Sequence, residues 1–448
     1  MPSDARVWRL PHPLILLVAA VAVAALLTWL LPAGEYQRRD DPVTHRSVVV
    51  AGTYHTVARA PVGPFAAAVA IPRGFIEGAD VIAVVLFVGG AWVVVEKLGT
   101  LARLVSGLVS VFRRRGLIAI PVLSLFFATM GALENMQEEI IPLVPVLLVL
   151  GAGLGIDAVS VVGMSAGAAM IGSAFGPTNP FQAGIAMKLA QVPASTGAAA
   201  RLAMFALAIA LWIAWTIRHA MKMRAAGVAA AADDAATEQA SPRDWLVLAI
   251  VLTPMAFYIY GSMQLDWGFN QLAAGFFLGG IIAGLVGGFS LERTVLAYLD
   301  GMQSLLPAAV LIGVARSISL VLADGHVIDT ILQSVATPLA HAPSLTAALL
   351  MIPAQAIIHV MVPSVSGQAV LTMPVFVPLG DLVGVSREAT VLAYQMGAGL
   401  CELVTPTNGA LMAVLLAAKV PFSRWVKFAA VGAAVCGAVG VVGVLVGL

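Results

Sequence analysis

Seven stretches of this chain run for 17 residues or more on almost wholly apolar side chains: 13–31, 80–97, 202–218, 245–261, 272–289, 303–322 and 426–448. A bilayer core is about 30 Å thick and takes roughly 20 helical residues to cross, and a helix satisfies its own backbone N–H and C=O groups where water is absent. The runs commit the chain to an all-α polytopic membrane fold. Composition agrees, with 60% hydrophobic and only 10% charged residues, where soluble domains carry roughly 25% charged. A formal net charge of +1 gives no global field that would point to nucleic acid. The first run follows Arg6 and Arg9, exceeds the length of a signal-peptide apolar core, and reads as a retained first helix. Cys401 and Cys436 both lie in apolar segments and form neither a disulfide framework nor a zinc pattern.

Two regions, 117–192 and 344–420, are apolar but too often interrupted by Pro, Gly and polar residues to be simple spans. They are copies of each other. Sliding 145–179 onto 374–408 at a fixed offset of 229 gives 10 identities in 35 positions, including Pro177-Thr178-Asn179 on Pro406-Thr407-Asn408. The same offset maps "NMQEE" at 135–139 onto "SVSGQ" at 364–368, each a polar patch between two apolar arms. Each copy thus reads as a re-entrant hairpin (117–152 and 344–385) followed by a helix broken at Pro-Thr-Asn (157–192 and 388–420). Residues 1–224 form one repeat, 225–244 a polar cytoplasmic linker, and 245–448 a connecting helix and the second repeat.

Orientation follows from Lys and Arg near span ends. Placing Arg6, Arg9, Arg113–Arg115, Arg218, Lys222, Arg224, Lys419, Arg424 and Lys427 in the cytoplasm makes the hairpins open to opposite sides, so the repeat is inverted. The N-terminus is then cytoplasmic and the membrane an inner, bacterial-type one. Loop 33–64 falls outside, where "RRDDPVTHRS" suggests a small hairpin of its own.

Non-helical backbone at membrane depth survives only inside protein or beside a cavity, and inverted repeats with broken helices are the mark of secondary transporters. Freed carbonyls at a helix end suit a hard cation, and freed N–H groups suit a carboxylate. The candidate substrate positions are Asn135, Glu138, Glu139, Thr178 and Asn179 in the first repeat, and Ser364, Ser366, Gly367, Gln368, Thr407 and Asn408 in the second. A coupling cation, Na⁺ or H⁺, would use Asn135, Thr178, Asn179, Glu402, Thr405, Thr407 and Asn408. Carboxylates inside a membrane are costly and by default functional, which singles out Glu138, Glu139 and Glu402. Glu134, one helical turn from Glu138, reads as a further functional acid or as solvent-facing or paired, Arg316 as a glutamate's structural partner ahead of a substrate counter-ion, and His359 as a packed hairpin histidine ahead of a proton relay.

"GMSAG" at 163–167 has the form of a hydrolase nucleophile elbow, but it sits in an Ala/Gly-rich helix with no histidine nearby and reads as close helix packing. No Walker A pattern is present to let ATP drive the chain directly. A channel would need a continuous polar pore, and an intramembrane protease a catalytic pair. Neither organic cofactor nor enzyme activity is expected.

The chain resembles the YfcC-type carriers, grouped with the C4-dicarboxylate (DcuC-like) carriers of the ion transporter superfamily. The resemblance lies in "LPAGEY" at 31–36, "GTYH" at 52–55, "ENMQEEIIPLVPVLL" at 134–148, "PTNP" at 177–180, "SGQAVLTMPVFVPLGDLVGV" at 366–385 and "LVTPTNGALMAVL" at 403–415. It implies an elevator-type fold in which hairpins and broken helices slide against a scaffold, usually in a homodimer. It also implies Na⁺ and substrate carboxylate at Asn135, Thr178, Asn179, Ser364, Ser366, Thr407 and Asn408. The expected function is ion-coupled transport of a small charged metabolite. An amino acid (basic amino acid or small peptide), taken up or exchanged, suits the acidic tip, and a C4-dicarboxylate is the alternative.

Overall fold

The structure is a computed structural model that describes residues 12–42, 46–104, 113–177, 179–193, 195–227, 240–265 and 267–447. Among these, ten helices are long and apolar enough to cross a membrane, so the chain is a multi-pass membrane protein. The run expected at 245–261 is also helical, Pro242–Gln264, though not one of the ten.

One group of helices packs around Leu291–Asp324, which at 34 residues is about 50 Å long. Ser290 starts it by accepting the Arg293 N–H at 3.2 Å, and Gly325 ends it. Pro13–Leu30, Pro64–Glu77, Ala79–Lys97 and Phe269–Val286 lie against it, and Pro242–Gln264 packs on Phe269–Val286. Tyr298 donates to the Phe87 carbonyl at 2.5 Å, and Lys97 pairs with Asp300.

The second group holds the two repeat-like regions. Ala119–Glu134 and Val144–Leu154 form one helical hairpin, and Ser344–Met361 and Val365–Val383 form the other. Both hairpin bases close on themselves. A Cβ placed on Gly116 would lie 2.9 Å from the Leu154 carbonyl oxygen, and one on Gly384 would lie 3.9 Å from Ser344 Cβ. Helix Ala198–Ala225 relates the two bases. Near its C-terminal end Arg224 donates to the Leu154 and Gly155 carbonyls at the first base. Its N-terminal flank at Gly197 touches Glu388, beside the second base. A helix of 28 residues spans about 42 Å, so the hairpins open at opposite ends of the molecule.

Each hairpin is followed by an interrupted helix. The first runs Ala158–Val162, a π-helical segment Gly163–Gly167, and Ala168–Phe175, then breaks before Pro180–Gly184 and Ile185–Ala190. The second runs Arg387–Tyr394, a π-helical segment Gln395–Gly399, and Leu400–Glu402, then breaks before Gly409–Ala417. Ser165 of "GMSAG" is buried in the first π segment and donates to the Val161 carbonyl at 2.8 Å, which is a packing role. Gly131 and Gly172 face the backbones of Ala169 and Ala128, leaving no room for a Cβ, so Ala119–Glu134 lies backbone to backbone on Ala168–Phe175. In lipid, such close van der Waals contact replaces hydrophobic drive between helices.

Loop 33–64 forms two small antiparallel pairs, Gly34–Glu35 with His55–Thr56 and Arg38–Asp41 with Arg46–Val49. It docks on Ile328–Leu339: the Tyr36 N–H and Arg38 Nη2 donate to the Asp329 carboxylate at 2.9 and 3.0 Å.

Candidate substrate and cation site

The first hairpin turns because Ala119–Glu134 ends on Asn135 in the left-handed region (φ 59°, ψ 37°), with the Asn135 N–H closing on the Gly131 carbonyl at 3.0 Å. Asparagine is one of the few residues that take this conformation at low cost. The chain then passes through buried Met136 and Gln137 into the tight turn Glu138–Leu143, which Pro142 keeps from becoming a regular helix. The second hairpin turns at Ser364, whose hydroxyl accepts the Gly367 N–H at 3.3 Å and starts Val365–Val383.

The two breaks are capped alike. Asn179 Oδ1 accepts the Phe181 and Gln182 N–H groups at 2.9 and 2.8 Å, and Asn408 Oδ1 accepts the Leu411 N–H at 3.1 Å. Each side chain therefore restarts its helix after the proline. Around Asn179 the set is neutral: Asn179 Nδ2 reaches the Gly131 carbonyl at 2.8 Å and Asn135 Oδ1 at 3.3 Å, and Ser173 donates to Asn135. Around Asn408 it includes an acid, because Glu402 stands where Ser173 stands in the first copy, at the offset of 229. Gln137 Nε2 donates to Glu402 Oε2 at 2.6 Å, and Asn408 Nδ2 lies 3.4 Å from both Gln137 Oε1 and the Glu402 carbonyl. The first hairpin tip is thereby tied to the second helix break. Trp425 Nε1 donates to the Leu403 carbonyl at 2.8 Å and satisfies one group the break sets free.

These elements wall a cavity of about 400 Å³. Of the expected residues, Asn135, Glu138, Ser364, Ser366, Glu402, Thr407 and Asn408 line it. Others stand behind it. Asn179 is fully buried among hairpin groups, Glu139 turns back to accept the Gln137 N–H at 3.1 Å, and Thr405 bonds Thr407 at 2.8 Å. Gln368 bridges the arms of its own hairpin, donating to the Gln355 carbonyl at 2.8 Å and meeting His359 Nδ1 at 2.8 Å, while Gly367 serves the Ser364 turn. Thr178 lies outside the described residues.

The opposite wall comes from the first helix group: Asp80, Tyr258, Trp267 and Phe269, with Ile312, Ala315 and Arg316 of Leu291–Asp324. Apart from Arg316, sequence reasoning about the repeats could not reach these, since they lie outside both copied regions. Glu134, for which the sequence leaves open a functional and a solvated or paired role, lines the cavity. It is 7% exposed, and neither of its carboxylate oxygens has a hydrogen-bond partner. Arg316, expected to partner a glutamate, makes no ion pair among the described residues and acts on Glu138 only through space. The lining thus sets four acids, Asp80, Glu134, Glu138 and Glu402, against one base.

The model of the C4-dicarboxylate anaerobic carrier family, DcuC, matches residues 10–448. This chain belongs to that family. It is similar to YfcC of Escherichia coli (strain K12), provisionally named a basic amino acid antiporter, at 29% identity over 95% of this chain and 94% of that one. It is also similar to a Haemophilus influenzae protein with no named activity, at 26% identity over 94% of each chain. Among solved structures, the Alcanivorax borkumensis YdaH transporter aligns with a TM-score of 0.44 at 20% identity, over 98% of both chains. The family makes the chain a membrane transporter.

Proposed function

We propose that this chain is an ion-coupled secondary carrier that exchanges or takes up a small amino-group-bearing metabolite, a basic amino acid or small peptide. The observation that carries this reading is the acidic lining of the cavity between the hairpin tips and Leu291–Asp324. A cationic group entering there offsets carboxylates already withdrawn from water, whereas a dicarboxylate would add to their repulsion. The name given to the similar E. coli protein supports the same substrate class. Na⁺ or H⁺ would couple at the second break, through Glu402, Thr405, Thr407 and Asn408, with a neutral counterpart at Asn135 and Asn179. Thr178 belongs to that set by its place in the repeat.

The two regions act in this reading as inverted repeats with re-entrant hairpins, and the helix group containing them slides as a body against the other. The boundaries are those of the repeats, 1–224 and 245–448, with 225–244 as linker. The chain would work as a homodimer in the inner membrane, N-terminus inside, without an organic cofactor. A C4-dicarboxylate carrier is the second reading, favoured by the family description and by Arg316 on the cavity wall.

Counterflow in proteoliposomes tests this. Vesicles loaded with L-lysine should accumulate labelled lysine, ornithine or arginine, with rates that depend on a Na⁺ or pH gradient. Exchange of succinate with no exchange of any amino compound would overturn the amino-acid reading.

A further inference from the structure

Two ionisable side chains on facing walls of the cavity lack direct partners. Glu134 ends the first hairpin arm, more than nine-tenths buried, with both carboxylate oxygens unbonded. An unpaired buried carboxylate is among the costliest groups a fold can keep. Arg316, on the central helix opposite, lines the same cavity with its guanidinium in no ion pair among the described residues. The groups nearest Glu134 do not compensate it, since Glu138 and Glu139 are acidic and Tyr258, across the cavity, is an uncharged phenol. The two are held on separate helix groups around one cavity, so a molecule bearing both charges can satisfy both at once.

We propose that Glu134 and Arg316 are the two poles of the substrate site, Glu134 receiving an ammonium group and Arg316 a carboxylate. This assignment rests on the reading of the cavity as the transport site and narrows its substrate to molecules bearing both charges, amino acids rather than diamines or dicarboxylates. Arg316 presents a planar fork suited to a carboxylate. Phe181, Tyr258, Trp267 and Phe269 line the same cavity and supply its apolar surface. A diacid would satisfy Arg316 but leave Glu134 unpaired beside like charge. A molecule joining the poles also touches both helix groups at once, which links occupancy of the site to their relative position.

Binding to the purified full-length protein tests the assignment, with L-lysine, L-lysinamide and succinate as probes. Glu134→Gln should weaken lysine and lysinamide alike, at least tenfold, while its ligand-free melting temperature stays at or above wild type. Arg316→Gln should weaken lysine at least tenfold but leave lysinamide, which lacks the carboxylate and binds the wild type more weakly than lysine does, no weaker than in wild type. Glu134→Asp, which withdraws the charge by one methylene, is the second variant and should lose several-fold. Wild-type lysine affinity in a folded Glu134 variant, or an Arg316→Gln loss equal for lysine and lysinamide, would overturn the two-pole site and leave the broader reading standing. If the wild type binds succinate and neither amino compound, both fall together.

Discussion

Gln137 Nε2 donates to Glu402 Oε2 at 2.6 Å, joining two residues 265 positions apart in the chain. One sits at the tip of the first hairpin and the other at the break in the second interrupted helix. The hydrogen bond makes each half of the cavity depend on the other. An acid so deeply buried needs its donor, and leaving a buried polar group unsatisfied costs about 1–3 kcal/mol.

Gln137→Ala should lower initial uptake at least tenfold, because Glu402 loses its close donor and Asn408 one of its neighbours. Gln137→Glu should do no better, since it sets a second acid against Glu402. Initial rates in proteoliposomes, normalised to inserted protein, measure this. Uptake within twofold of wild type in Gln137→Ala would mean that the bond merely packs the tip.

Asn179 and Asn408 occupy matching places but should fail differently. Asn179 is fully buried, caps two N–H groups and also holds the Gly131 carbonyl, so Asn179→Ala should cost roughly 1–3 kcal/mol and lower the melting temperature together with uptake. Asn408 caps one N–H group and lines the cavity, so Asn408→Ala should abolish uptake with a smaller loss of stability. Melting of the two variants in the same detergent ranks them. The reverse order would place the substrate-facing role at Asn179.

Much of this was legible in the chain itself. Runs such as 13–31 and 426–448 could only be helices, and the repeated Pro-Thr-Asn located both breaks because proline and its capping asparagine act locally. Residues that depend on how helices face one another were not. Ser364 and Ser366 line the cavity, yet Gln368, two positions on, turns into the hairpin toward His359 and Gln355. Rotation about the helix axis decides this, and composition does not record it. Asp80, Tyr258 and Trp267 enter the site from outside the two copied regions, 117–192 and 344–420, so no internal comparison could pair them with the tips. The isolation of Glu134 is likewise a fact of packing, visible only once its neighbours are in place.

The scaffold side carries a pH-sensitive contact outside the spans. Asp244 caps Pro242–Gln264, is 2% exposed, and accepts Arg103 Nε and Nη2 at 3.1 and 2.7 Å, Ser241 Oγ at 2.7 Å and Thr100 Oγ1 at 2.8 Å. Arg103 first, with help from the Ser241 and Thr100 hydrogen bonds, holds this carboxyl well below the usual range despite its burial. The folded chain therefore binds this proton less readily than the unfolded chain. The stability it contributes is complete above about pH 4, the unfolded value, and is lost as pH falls below that. Arg103→Ala should lower stability at pH 7 and flatten the acid limb below pH 4. An acid limb unchanged by the substitution would assign acid sensitivity to other groups.

The sliding of one helix group against the other can be tested where they touch most closely. A Cβ placed on Gly409, the first residue after the second break, would lie 3.0 Å from Ala315 Cβ on the central helix. Disulfides need roughly 3.5–4.5 Å between Cβ atoms, so Ala315→Cys with Gly409→Cys should oxidise readily once the pair parts slightly. The free and buried Cys401 and Cys436 would first be replaced by Ala. Oxidation should stop uptake, reduction should restore it, and each single-cysteine control should be unaffected by oxidant, because in the proposed mechanism the bond joins helix groups that slide past one another. Sustained uptake in a fully crosslinked sample would rule out that motion, and a pore through a fixed assembly would then be the better account of the cavity.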